Sequence, residues 1–163
     1  MDPADIMQEK NALGKNRSKE KQYAFDMAFD KETNQIEVFN KTTKFLCDGV
    51  LNGYNATVFA YGATGAGKTY TMLGTEDNPG NMFHTLKELF NKMKEYKLDR
   101  EFKIRVSFLE IYNEQIRDLI VVSPEFLDLR EDPVKGLVVA GLSEIEVRTP
   151  EEILNLLMYG EIY

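Results

Sequence analysis

One stretch constrains this chain more than any other. It runs Gly62, Ala63, Thr64, Gly65, Ala66, Gly67, Lys68, Thr69. A glycine, four residues and then Gly-Lys-Thr fill every fixed position of a phosphate-binding P-loop. The glycines let the backbone turn tightly, so successive N–H groups point into one concave nest suited to phosphate oxygens. Lys68 can reach the β- and γ-phosphates as a point charge, and the Thr69 hydroxyl can ligate Mg²⁺. A helix opening near Gly67 adds the positive end of its dipole. Residues 57–61 are β-branched and aromatic and read as a buried parallel strand feeding the loop. Residues 69–73 can open a helix behind it. Strand, loop and helix are the context such a loop requires, so a nucleotide with Mg²⁺ is the expected ligand.

Composition narrows the rest. The 163 residues, 43% hydrophobic, suffice for one core and about one domain. A net charge of −7 argues against a nucleic-acid binder with a basic surface. Cys47 is the sole cysteine, which excludes an intrachain disulfide and a cysteine-built zinc site and suggests a reducing compartment. It lies in an apolar helical pattern and reads as a small buried side chain. No apolar run approaches the ~18 residues of a membrane span, so no membrane contact is expected. Residues 1–20 are polar, carry a weak basic stretch and lack a secretory apolar segment; they read as a flexible tail.

Tyr23, Phe25, Met27 and Phe29 alternate with smaller or polar residues and suggest a strand. Ile36, Phe39, Thr43, Leu46 and Val50 recur at helical spacing, with Gly53 suited to a left-handed helix end. Residues 74–81 form a loop, and residues 82–96 a helix with Phe83, Leu86, Leu89, Phe90 and Met93 on one face. His84, the single histidine, is expected to face solvent on that helix. Residues 102–110 alternate as one long strand, and 116–122 form a short element of open type. Residues 127–130 and 137–147 read as strands joined by 131–136. Thr149, Pro150 and Glu152 spell N-cap, first helical position and capping box of a last helix. Alternating strands and helices around a P-loop give an α/β class with a mixed sheet.

Beyond the P-loop, several segments resemble the kinesin motor domain. Residues 51–62 are similar to the family segment preceding its P-loop, and Thr71-Met72-Leu73-Gly74 to its Thr-Met-x-Gly. Residues 23–30 resemble the strand around Phe-Asp-x-Val-Phe. Residues 107–114, with Arg117-Asp118-Leu119, resemble another signature. Ala63 and Ala66, with Arg130-Glu131-Asp132 and residues 135–139, look most like the kinesin-eight subfamily. The resemblance implies a P-loop NTPase-like motor fold with a mixed, mostly parallel central sheet flanked by helices. It also implies ATP or ADP with Mg²⁺ as cofactor and an ATP-driven microtubule motor of the cytoplasmic cytoskeleton, with spindle, axoneme and a dimeric parent left open. By position, Tyr70 matches the residue whose ring packs on adenine, with packing under the loop as the alternative. Lys135, at the tip of a hairpin, matches a region that contacts tubulin, with a solvated turn lysine as the alternative.

The resemblance covers residues 21–163 and reads as the first half of a motor core. The family's opening Arg-x-Arg-Pro strand and its two switches, Asn-x-x-Ser-Ser-Arg-Ser-His and Asp-Leu-Ala-Gly-Ser-Glu, do not occur in these residues. The main microtubule-binding helix follows the switches in the family. No catalytic residue is therefore assigned, and hydrolysis by this chain alone is not expected. A truncated, non-catalytic kinesin-like protein that binds a partner motor or tubulin is the alternative. An unrelated P-loop NTPase would need an acidic Mg²⁺-linked residue on a second strand, for which Glu110 is the candidate.

Overall fold

The computed structural model describes residues 22–96, 100–121 and 123–160. The tail read in residues 1–20 lies outside them. The chain divides into two compact units, Met1–Lys31 and Glu32–Tyr163. In the first, the rings of Tyr23 and Phe25 stack 6.4 Å apart. The strand expected at 23–29 is extended backbone without a ladder. Period-two alternation prepares a chain for pairing but supplies no partner.

The second unit opens with α1 (Gln35–Thr42), capped by the Asn34 side chain, which accepts from the Glu37 N–H at 2.9 Å. The single helix expected from the apolar spacing is two helices. The Thr42 hydroxyl donates back to the Val38 carbonyl at 2.6 Å, and the Lys44 N–H reaches Phe39 O, one residue beyond the α-helical partner. This disrupts the turn, and α2 (Leu46–Leu51) starts afresh. It ends at Gly53, whose φ of 92° is the left-handed conformation expected there. Cys47 is buried, and burial raises its thiol pKa. The P-loop leads into α3 (Lys68–Met72) and, past a closed turn, α4 (Asn81–Glu95). Both α1 and α2 pack on α4. Lys92 of α4 bonds Asp48 of α2 at 2.6 Å.

The strands are β1 (Ile104–Val106), β2 (Leu109–Tyr112), β3 (Gln115–Asp118), β4 (Asp128–Asp132), β5 (Gly136–Ala140) and β6 (Ile145–Val147), followed by α5 (Pro150–Gly160). They pair antiparallel as β1 with β6, β2 with β3 and β4 with β5. The long strand expected at 102–110 thus divides at Ser107 and Phe108, its halves taking different partners. The open element after Tyr112 is β3, returned by Asn113 and Glu114 at φ 48° and 64°, a tight two-residue hairpin turn. The second expected strand breaks at Gly141, φ 81°, into β5 and β6.

Among the described residues no parallel pair forms, so the α/β class stands while the parallel central sheet does not appear in them. Residues 57–61, expected as a buried strand, have no ladder, and Phe59 and Tyr61 are 81% and 96% exposed. A parallel strand is buried only when helices cover a sheet it belongs to. The core lies elsewhere. Phe90 of α4, Val147 of β6, and Ile153 and Leu157 of α5 are buried together, flanked by Leu73, Met82, Leu86 and Ile104. The α5 cap is as the sequence spells it at Thr149, whose hydroxyl accepts from the Glu152 N–H at 3.2 Å. The Glu152 carboxylate instead reaches the Arg148 N–H at 2.8 Å, one residue before the cap.

Candidate functional site

The site is built on a turn that only glycine permits. Gly65 and Gly67 hold φ of 82° and 90°, a region costly to residues with a Cβ. Gly62 sits in a tight place, since a Cβ there would meet the Ala66 Cβ at 3.1 Å and one of the two would have to shift. The Ala66 N–H donates to Ala63 O at 3.1 Å and closes the loop. Among the described residues, Thr64, Gly65, Gly67, Lys68 and Thr69 donate their main-chain N–H groups to no backbone carbonyl. These donors fit phosphate oxygens. The five-residue α3 contributes only a small dipole, so the loop amides carry the anion preference.

Lys68 is folded over the loop. Its ammonium donates to the carbonyls of Gly62 and Ala63 at 2.8 and 2.9 Å. Among the described residues the cation has no acidic partner, so a phosphate can draw it away from the two carbonyls. Thr69 is exposed, and among the described residues its hydroxyl has no protein partner, which suits a Mg²⁺ ligand. No group of three or more His, Cys, Asp or Glu side chains among the described residues could hold a metal by itself. The donor set therefore matches a cation carried in on phosphate rather than a protein cage.

The structure brings Gly62, Ala63, Thr64, Gly65, Ala66, Gly67, Lys68, Thr69 and Tyr70 together as one turn. Tyr70, on α3, is half-exposed. Its carbonyl accepts from the Gln35 amide at 2.5 Å and its hydroxyl from the Asn78 amide at 2.8 Å. Sequence reasoning missed both partners. Gln35 lies too far along the chain for any local signal, and Asn78-Pro79 read only as loop chemistry. Lys135 stands apart, in the β4–β5 turn. There the Asp132 carboxylate accepts the N–H groups of Val134 and Lys135 at 2.9 and 2.8 Å. Those bonds pull the Asp132 pKa below the ordinary carboxylate value. His84 is half-buried rather than solvent-facing, its ring 5.5 Å from Phe39 and 5.8 Å from Phe83.

A glycine nest, an ammonium over it and a hydroxyl beside it, on a turn opening a helix, define a P-loop nucleotide-binding protein. The chain belongs to the kinesin motor domain family, which matches residues 2–162. Human kinesin-like protein KIF19 is 50% identical over 159 residues, covering 98% of this chain and 15% of that protein. Mouse KIF18A is 50% identical over 148 residues, 91% of this chain and 17% of that protein. KIN-8B of Arabidopsis thaliana is 48% identical over 145 residues, 89% of this chain and 18% of that protein, and the kinesin-eight resemblance stands. A solved fast kinesin superposes with a TM-score of 0.81 at 38% identity, covering 85% of this chain and 40% of that one. A KIF14 dimer in its two-heads-bound state, with AMP-PNP and a microtubule, gives 0.74 at 35% identity, covering 79% and 37%. The chain thus spans 15–18% of the length of these relatives.

Proposed function

We propose that this chain forms the Mg²⁺-nucleotide-binding part of a kinesin-like microtubule motor, whose whole protein couples ATP hydrolysis to movement along microtubules or to regulation of their ends. The observation that carries the reading is the open nest: among the described residues, five main-chain N–H groups lack backbone acceptors and the ammonium beside them rests on carbonyls alone. In this reading the loop amides would hold a phosphate group, and Lys68, now on the Gly62 and Ala63 carbonyls, would reach its oxygens. The Thr69 hydroxyl would be a ligand to a Mg²⁺ ion carried on the nucleotide, which when bound would offset phosphate charge. Hydrolysis belongs to the longer protein, because positioning the attacking water needs groups not assigned among these residues. Lys135 is the basic residue offered to tubulin, and the protein works on the cytoplasmic microtubule cytoskeleton.

The test is titration of the 163-residue chain with fluorescent ADP, with and without Mg²⁺. Lys68→Ala should weaken binding at least about tenfold, as expected for a lost charge-assisted contact. No affinity at millimolar ADP, with Lys68→Ala equally inert, would remove the nucleotide reading. Microtubule co-sedimentation that is weakened by Lys135→Glu would support the tubulin contact; an unchanged fraction would remove it.

A further inference from the structure

The turn after α3 is closed on itself. The Thr75 N–H donates to Asn78 O at 3.0 Å, and the Asn78 N–H returns to Thr75 O and Oγ1 at 3.2 and 3.1 Å. The Gly80 N–H donates to Leu73 O at 2.8 Å. Gly74 sits at φ 76°, where a Cβ would come within 2.3 Å of Asn78 O. The backbone around Asn78 is therefore fixed from both sides.

From that fixed point the Asn78 amide donates to the Tyr70 hydroxyl at 2.8 Å. The Tyr70 carbonyl is held by Gln35, itself only 4% exposed. The tyrosine is thus anchored at its backbone by α1 and at its hydroxyl by the turn. Its side chain is nevertheless half-exposed, and among the described residues no other aromatic ring packs on it. An oriented aromatic face two residues past the phosphate-reaching Lys68 is suited to stacking on a planar base. A ring tethered only at its backbone would rotate about χ1 and lose that orientation.

We propose that Asn78 is a positioning residue: through the Tyr70 hydroxyl it sets the ring for stacking on the base of the nucleotide whose phosphates the P-loop holds. This rests on the nucleotide reading above. Stacking is a property of the base and not of the phosphates, so the two can be separated.

Calorimetric titration with Mg²⁺ present would compare ADP with inorganic tripolyphosphate, on the unmodified chain, Asn78→Ala, Tyr70→Phe and the double variant. Asn78→Ala should weaken ADP about threefold to tenfold, the range of one net hydrogen bond, and leave tripolyphosphate unchanged. Tyr70→Phe should do the same, and the double variant should be no worse than either single one. Unchanged ADP binding in Asn78→Ala, equal weakening of both ligands, or additive single effects would overturn the proposal. If Asn78→Ala does not fold, Tyr70→Phe, which removes only the hydroxyl, decides. An unmodified chain that binds tripolyphosphate as tightly as ADP keeps the phosphate site and overturns the stacking role. One that binds neither ligand overturns both readings.

Discussion

Single residues show how local chemistry and packing divide the work. The P-loop glycines were legible because the left-handed conformation excludes other residues, and Gly65 and Gly67 adopt it. Lys68 and Thr69 were legible as residue types, but the parking of the ammonium on Gly62 and Ala63 was not, because carbonyl direction is set by the folded turn. His84 was misplaced. Its apolar neighbours include Phe39 from α1, 45 positions away, a contact no helical periodicity reveals. Its pKa is lowered chiefly by burial, and also by Lys87, against an opposing bond to the Pro79 carbonyl. The sign follows. The unfolded histidine binds a proton more tightly than the folded one, so His84 costs nothing above the ordinary value of 6.5 and destabilises as pH falls through and below it. Urea midpoints should therefore drop between about pH 7 and pH 5, and His84→Gln should flatten that limb. A parallel drop in the variant would assign the pH dependence to other groups.

At the scale of elements, helices were read better than strands. α4 follows from apolar spacing and α5 from its cap residues, both set within a few positions of one another. Strands need a second segment, and the alternation at 102–110 gave no sign that Ile104–Val106 pairs with β6 while Leu109–Tyr112 pairs with β3. The β2–β3 hairpin was missed because its turn is Asn113-Glu114 rather than Asn-Gly. Glu114 at φ 64° carries a strain that glycine would not. Glu114→Gly should raise stability by about 0.5–1 kcal/mol, read as a higher urea midpoint. A lower midpoint would mean that the Glu114 side chain outweighs the backbone gain.

For the whole molecule, exposed apolar surface is the dominant fact. Tyr54, Phe59 and Tyr61 are 73%, 81% and 96% exposed, on the segment that feeds the P-loop. Only six hydrophobic residues are buried among those described. Unpaired backbone groups, if buried, cost about 1–3 kcal/mol each against a total stability of roughly 5–15 kcal/mol. The chain in isolation should therefore bind a hydrophobic dye such as ANS and unfold over a broad transition. A sharp transition, coincident by circular dichroism and fluorescence, would show that it is a stable monomer as it stands.

By itself the sequence determined what short-range sterics and chemistry control: a P-loop turn with its lysine and threonine, the capped start of α5, the glycine turns and membership of the kinesin motor family. Tertiary structure alone decided which strands pair, that residues 57–61 stand unpaired and exposed, that His84 packs beneath α1, and that Gln35 and Asn78 grip Tyr70 from opposite ends. The division has one physical cause. Backbone conformation, capping and turn strain are settled within a few residues, whereas pairing, burial and side-chain anchoring depend on which distant segment arrives to make the contact.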